Sequence, residues 1–111
     1  MGLVLGMTTT NVFAASSIGV KASTKCYARG GSSTTTSSSV GNYVAARSTF
    51  VYVSNELNKE LTSSTSVGVT GPRSITASAG SKHAICTARK TLGAHWIKGS
   101  ETFYGQTDAG Y

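Results

Sequence analysis

The densest group of chemically active side chains in this sequence lies between positions 89 and 104. It combines positive charges with aromatic rings over a short stretch of chain. Aromatic faces stack on sugar rings or lie at lipid headgroups, and neighbouring cations meet carboxylate or phosphate groups. The candidate ligand-binding residues are therefore Arg89, Lys90, His95, Trp96, Lys98 and Tyr104.

The same residues also have a purely structural interpretation, which the sequence leaves open. Trp96 is the only tryptophan, and in a small β domain such a residue is more often part of the core than a ligand platform. Lys98 would then only keep the opposite side of its strand in water. His83 and His95 would be ordinary solvated residues.

The patterns that catalysis or metal binding would need are missing. The two histidines have no nucleophile motif beside them, and the single aspartate, Asp108, lies in the C-terminal tail. There is no Gly-x-Ser-x-Gly elbow, no His-Glu-x-x-His pair and no phosphate-binding glycine loop. A triad of histidine, serine and glutamate can be drawn in any chain so rich in serine, so it carries no weight. We predict that the protein is not an enzyme and holds no metal or cofactor.

The charge balance favours anionic partners. Ten lysine and arginine residues stand against four acidic residues, which gives a net charge of +6. Outside a bacterial cell, such a surface would attract teichoic acids, phospholipid headgroups or acidic polysaccharide. The positive charge alone would also suit nucleic acid, but an exported protein is not expected to bind nucleic acid. A modest basic excess also keeps small secreted proteins soluble, so the charge alone does not require a specific anion site.

The N-terminus resembles a signal peptide rather than part of a domain. A short apolar run is followed by small residues at Val12 and Ala14, which suit cleavage after Ala14. We predict that residues 1–14 are a signal peptide that lacks its basic start, and that residues 15–111 are one secreted, extracellular domain. The alternative is a buried N-terminal strand or helix. No other stretch is long and apolar enough to predict a transmembrane segment.

The two cysteines agree with export. Cys26 and Cys86 are the only ones, and an even number in a small exported chain predicts a disulfide. A bridge across so long a loop would contribute about 4 kcal/mol in the chain-entropy model. A metal site would need more ligands at close spacing.

Most of the remaining chain alternates between apolar and polar residues with a period of two, which is typical of half-buried strands. The cysteines fall on the apolar sides of two of these strands. The predicted strands cover residues 17–29, 43–54, 65–79 with a break at Gly71-Pro72, 82–89 and 94–104. Several short strands separated by turns predict an all-β domain, as a small antiparallel β-sandwich or barrel.

Four segments are predicted to lie outside the strands. Residues 30–42 are almost entirely glycine, serine and threonine, which predicts a long exposed loop or, as an alternative, a flat hydroxyl array that binds sugar or ice. Residues 55–61 are the only helical-looking piece, with two leucines four positions apart. Residues 90–93 resemble a turn. The tail from 105 to 111 is polar, which predicts fraying.

The C-terminal third resembles the lactococcin 972-like bacteriocins. The similar features are Gly80-Ser81-Lys82-His83-Ala84 before a strand, a tryptophan-bearing strand, and the aromatic pair Phe103-Tyr104. The resemblance implies a small cationic β-sandwich that is exported and acts on a cell-wall precursor of Gram-positive bacteria. It assigns no functional residue in this chain.

Three functional hypotheses follow. The first is a bacteriocin-like protein that binds an anionic envelope component of competing cells. The second is a non-toxic extracellular protein that binds polysaccharide or another surface, or has a structural role there. The third is a secreted enzyme inhibitor that presents residues 30–42, and it ranks last because so glycine-rich a tract is not rigid. The sequence does not separate the first two.

Overall fold

A computed structural model describes residues 20–99 and 102–111, and these residues form seven β-strands. The predicted signal peptide, residues 1–14, and the predicted start of the domain lie outside the described residues. None of the described residues belongs to a helix long and apolar enough to cross a membrane. The strands are β1 (Val20–Tyr27), β2 (Gly30–Ser37), β3 (Tyr43–Ser54), β4 (Lys59–Thr70), β5 (Ser74–Gly80), β6 (Cys86–Lys98) and β7 (Thr102–Gly110).

The strands form two antiparallel sheets, which pack face to face as a β-sandwich. One sheet has the order β1-β2-β5 and the other the order β4-β3-β6-β7. Strand β1 packs against β6 and β7, β2 against β3 and β6, and β5 against β3 and β4. The prediction of an all-β antiparallel fold is confirmed.

Two predicted boundaries are also confirmed. Strand β3 covers the predicted residues 43–54. Strand β4 ends at Thr70 and β5 begins at Ser74, on either side of Gly71-Pro72. Proline has no N–H to give to a sheet ladder, and Gly71 has a φ of 128°, which suits glycine.

The serine- and threonine-rich segment is not the exposed loop that its composition predicts. Residues 30–37 form β2, the central strand of its sheet, and only residues 38–42 remain a connection. Hydroxyl groups are tolerated inside a protein when they find hydrogen-bond partners, so composition alone does not exclude a core strand. The buried inner side of β2 carries Gly31, Ser33, Thr35 and Ser37.

Strand β6 continues through residues 90–93, which were predicted to turn. A bulge lies between the paired residues Ala88 and Lys90, and it leaves Arg89 as the extra residue. The predicted strand 94–104 is in fact the end of β6 and the start of β7. The predicted fraying tail is most of β7, which pairs with β6 as far as Gly110.

The predicted helical segment 55–61 is a turn followed by the start of β4. Asn58 has a φ of 58°, a left-handed conformation that asparagine tolerates better than most residues. The Asn58 N–H donates to the Ser54 carbonyl at 2.7 Å, and the Leu57 N–H donates to the Ser54 hydroxyl at 3.2 Å. These bonds close a hairpin between β3 and β4.

The core has two apolar ends and a polar centre. Buried hydroxyls and His95 lie between the two apolar clusters. The sheets approach closely at the centre, because a Cβ added at inward-facing Gly93 would clash with the Thr24 hydroxyl. The larger apolar cluster contains Cys26, Phe50, Tyr52, Ala79, Ala88 and Ala109, and the smaller contains Val44 and Ile97.

The predicted disulfide is not present, because Cys26 and Cys86 are both free thiols. Cys26 is buried on the inner side of β1, and burial raises the pKa of its thiol. Cys86 is half-buried at the first position of β6 and packs against the larger apolar cluster that contains Cys26.

The predicted strand 82–89 is wrong in its first half, since residues 82–85 belong to a connection.

Candidate functional site

The antiparallel register of the four-stranded sheet gathers a group of aromatic and cationic side chains on its outer side. Ala45 of β3, Trp96 of β6 and Tyr104 of β7 lie side by side across the three strands. Side chains two positions apart on a strand share a face, so Arg47 also lies on this side. We call the group Tyr43, Arg47, Trp96, Lys98 and Tyr104 the aromatic–cationic face.

Direct contacts hold this face in place. The Arg47 guanidinium carbon lies 5.6 Å from the centre of the Trp96 ring, within the range of a cation–π interaction. The Trp96 and Tyr104 ring centres are 5.3 Å apart with an interplanar angle of 48°. Arg47 also donates from Nε to the Ser66 hydroxyl at 3.1 Å. These side chains already hold one another in place. Their ordering on ligand binding would therefore cost little conformational entropy.

A groove of about 450 Å³ lies beside Arg47 and Trp96, between β4, β3 and β6. Its floor is formed by Ala45 and Gly68, which are paired across the two strands. A Cβ at Gly68 would clash with the Tyr43 hydroxyl, so glycine here makes room for the tyrosine ring. Among the described residues that line this groove are two cations, Arg47 and Lys98, and no acidic residue.

A second, smaller groove of about 290 Å³ lies on the same side of the sheet, on the other side of Arg47. Its lining is mixed: Leu92 and Tyr104 are apolar or aromatic, Thr49 and Gln106 are polar, and the charge of Asp108 balances that of Arg47. The Gln106 amide donates to the Tyr104 hydroxyl at 2.9 Å, which connects this groove to the aromatic pair Trp96 and Tyr104. Arg47 borders both grooves.

The structure brings together three of the six predicted ligand-binding residues. Trp96, Lys98 and Tyr104 lie on the aromatic–cationic face. Lys90 is exposed on the same strand but six residues away from Trp96, and Arg89 is exposed at the bulge.

His95, the sixth predicted residue, lies in the core with no exposed surface and is not part of the site. The interpretation of His95 as a solvated residue is also wrong. Successive side chains of a strand point to opposite sides, and Trp96 takes the outer side at this position. Burial lowers the His95 pKa to about 4, so the ring is neutral at neutral pH.

The hydrogen bonds around His95 determine its tautomer. The Thr35 hydroxyl donates its single proton to the Ala45 carbonyl at 2.8 Å, so it must accept from His95 Nδ1–H at 2.8 Å. His95 Nε2 is then an acceptor, and the Thr107 hydroxyl donates to it at 2.7 Å.

The hydrogen bonds continue from Thr107 across the sandwich to the other sheet. Because Thr107 gives its proton to His95, it accepts from Thr24 at 2.6 Å, and Thr24 in turn accepts from Ser33 at 3.0 Å. Thr24 and Ser33 belong to the three-stranded sheet, and Thr107 belongs to the four-stranded sheet. This chain of hydrogen bonds therefore joins the two sheets at the centre of the core.

Sequence reasoning missed Tyr43 and Arg47, which complete the aromatic–cationic face. Both lie on β3, far from the 89–104 segment in sequence, and only the β3–β6 pairing places Arg47 opposite Ala94. Within the described ranges, 20–99 and 102–111, no group of three or more metal-ligating side chains is present.

Comparison with protein-family models, with curated proteins and with solved structures found no match to this chain. The assignment of a function therefore depends on the geometry of this site.

Proposed function

We propose that this protein is a small exported binding protein that holds an anionic polymer of the bacterial cell envelope on its aromatic–cationic face. The observation that carries the proposal is the contact of Trp96 with both Arg47 and Tyr104, beside a groove whose described lining holds two cations and no acidic residue. An aromatic ring offers a flat apolar surface for a sugar ring, and the cations attract its carboxylate or phosphate groups.

The arrangement of the two grooves favours a polymer over a single headgroup. Arg47 borders both grooves, so an extended chain that crosses it contacts both. The first groove has the cations for an anionic unit. The second, with Thr49, Gln106 and Asp108, offers hydrogen-bond partners to the hydroxyl groups of a neutral unit.

Binding is measured with the purified protein and three polymers: wall teichoic acid, polygalacturonate and neutral dextran. Trp96 is the only tryptophan, so its fluorescence reports directly on this face. We expect saturable binding of the two anionic polymers and none of dextran. Arg47→Ala should weaken binding, whereas Lys21→Ala, which removes an exposed cation from the outer side of β1, should not. Equal binding of dextran, or equal loss in both variants, would contradict the proposal.

The proposed function has two versions, which differ in whether binding harms the target cell. In the bacteriocin-like version, which the lactococcin 972-like resemblance suggests, occupation of an envelope component stops growth. In the alternative version, the protein attaches to polysaccharide or another surface, or has a structural role, without killing. A growth-inhibition assay on a panel of Gram-positive strains decides between them. Inhibition that Trp96→Ala abolishes supports the first version, and binding without inhibition supports the second.

We further propose that, in an exported form, an extracellular oxidant such as molecular oxygen removes two electrons and two protons from the Cys26 and Cys86 thiols, which then form an S–S bond. Their sulfur atoms lie 3.9 Å from the carbonyl oxygens of two consecutive residues, Tyr27 and Ala28, and both side chains contact one apolar cluster. Mass spectrometry of protein from culture medium, without reductant, should show a mass lower by two hydrogens. An unchanged mass and two alkylated thiols would exclude the bridge.

A further inference from the structure

Three connections between strands meet at one end of the sandwich, which we call the loop end. They are the β1–β2 turn, the β3–β4 turn and the β5–β6 connection. The Ser81 N–H donates to the Arg29 carbonyl at 3.0 Å, and the Asn55 N–H donates to the Ile85 carbonyl at 3.1 Å. Because these bonds run between different connections, the loop end is one surface rather than three independent loops.

One large exposed apolar side chain lies in or directly beside each connection at this end. Tyr27, the last residue of β1, is 48% exposed, Leu57 53% and Ile85 58%. None of the three is needed to fill the core, which is closed by other residues of the larger apolar cluster. Exposed apolar residues scattered singly need no explanation, but one on each of three joined connections forms a shared apolar tip.

A cation accompanies each of these apolar side chains. Arg29, Lys59 and Lys82 lie within three residues of Tyr27, Leu57 and Ile85, respectively, and all three are exposed. Arg89 lies at the nearby bulge, where its carbonyl accepts from the Tyr111 N–H at 3.2 Å. The acidic side chains of this end are Glu56 and Glu60, and Glu56 is paired with His83 at 3.4 Å. The four cationic side chains outnumber these two acidic side chains.

The described connections of the opposite end, residues 38–42 and 71–73, carry one large exposed apolar residue, Val40, which is 67% exposed, and one cation, Arg73. The adjoining strand ends also expose Tyr43, Val69 and Lys98, of which Tyr43 and Lys98 belong to the aromatic–cationic face. The other described residues of these two connections are serine, glycine, asparagine and proline. This end therefore supplies matched control positions in the same molecule.

We propose that the loop end docks on the surface of an anionic lipid bilayer. Tyr27, Leu57 and Ile85 enter the headgroup region, and the neighbouring cations contact lipid phosphates. Short apolar side chains that project between cations match the layered chemistry of a bilayer surface, where phosphate lies just outside hydrocarbon. The loop end shares no residue with the aromatic–cationic face, so this proposal and the proposed function are independent.

The test is sedimentation of the purified protein with vesicles of phosphatidylcholine alone and of phosphatidylcholine mixed with phosphatidylglycerol. We expect binding to the mixed vesicles only, weakening as salt is added. The variant Leu57→Ser/Ile85→Ser should reduce vesicle binding about tenfold or more, since two apolar side chains no longer leave water. Val40→Ser should change it by less than about twofold, because a scattered exposed residue at the other end touches no lipid.

A second pair of variants tests the cations. Lys82→Ser should weaken binding to the mixed vesicles, and Arg73→Ser should not. The Leu57→Ser/Ile85→Ser variant should keep the circular dichroism spectrum and the polygalacturonate affinity of the unaltered protein, which excludes misfolding. Absence of vesicle binding, equal binding to neutral vesicles, or equal loss in the Val40→Ser control would overturn the docking proposal while leaving the proposed function intact.

Discussion

His95 and Trp96 are neighbours in the sequence and lie on opposite sides of the same strand, and their environments differ completely. His95 has no exposed surface and accepts and donates hydrogen bonds inside the core. Trp96 contacts Arg47 and Tyr104 on the outer side of the sheet. The inner side of β6 joins the two sheets, whereas its outer side carries part of the aromatic–cationic face.

Closeness in sequence is therefore a poor guide to a shared site on a strand. Beyond the bulge at Arg89, alternation sends every second residue of β6 inward. The partners that complete the outer surface come instead from β3, through its pairing with β6. The contrast between the inner and outer sides of β6 can be tested, because substitutions on the inner side should change the free energy of unfolding and those on the outer side should change polymer affinity.

The largest expected effect is on stability, and it belongs to the inner side. The His95 pKa is about 4 in the folded protein, against 6.5 for an unperturbed histidine. The unfolded chain therefore takes up a proton first as the pH falls. The stability that neutral His95 contributes is complete above about pH 6.5 and is lost as the pH falls towards about 4, by about 3 kcal/mol in total.

Urea unfolding at a series of pH values measures this loss. The control is His95→Phe, which should be less stable at neutral pH because Thr107 loses its acceptor, and should lack this part of the pH dependence. If the unaltered protein and His95→Phe show the same slope between pH 6.5 and pH 4, the assignment of this dependence to His95 is wrong.

The second effect is on binding, and it belongs to the outer side. Trp96→Ala should weaken the binding of anionic polymer by about 10- to 100-fold, because it removes the ring that both Arg47 and the ligand contact. Isothermal titration calorimetry measures the affinity without relying on tryptophan fluorescence. A Trp96→Ala protein that binds normally would show that the aromatic–cationic face is not the binding surface.

A smaller effect is expected from one exposed charge. Lys98→Ala should weaken binding about threefold at low salt, and this difference should shrink as salt is added, because exposed charges are screened. The matched control is Lys25→Ala, an exposed cation on the outer side of the three-stranded sheet. Similar losses in the two variants would indicate attraction by net charge rather than by a defined site.

The smallest expected effect tests the outer side of the three-stranded sheet. Thr34 and Thr76 are paired across β2 and β5 and share a hydrogen bond of 2.8 Å. Thr34→Ala should leave polymer affinity unchanged within about twofold, since a single exposed substitution away from the site has little effect. A clear loss of affinity for polymer would revive the interpretation of these hydroxyls as a sugar-binding array.

The fold could be predicted from sequence where the composition is distinctive. Residues 43–54 are rich in Val, Tyr and Phe, which correctly predicted β3, and Pro72 correctly predicted the break between β4 and β5. Composition failed for β2, because an inner side made of Gly31, Ser33, Thr35 and Ser37 has no apolar signal. Those hydroxyls are buried because each finds a hydrogen-bond partner: His95 on the facing sheet for Thr35, Thr24 on the neighbouring strand for Ser33, and Asn42 in the following connection for Ser37. Such partners are visible only in three dimensions.

The candidate site could be predicted only in part. Trp96, Lys98 and Tyr104 were identified because aromatic and cationic residues cluster in one short segment. His95 was included wrongly, since the bulge at Arg89 and the predicted turn at 90–93 obscured which residues of β6 point inward. Arg47 was missed because strand pairing, unlike alternation, leaves no local pattern in the sequence.

The most direct test of the account is a two-dimensional NMR titration of isotope-labelled protein with polygalacturonate. We expect the indole N–H signal of Trp96 and the Nε–H signal of Arg47 to shift in a saturable manner, while the amide signals of β1, β2 and β5 stay in place. Shifts concentrated on β1, β2 and β5, or spread evenly over both sheets, would contradict a binding surface on the outer side of β6.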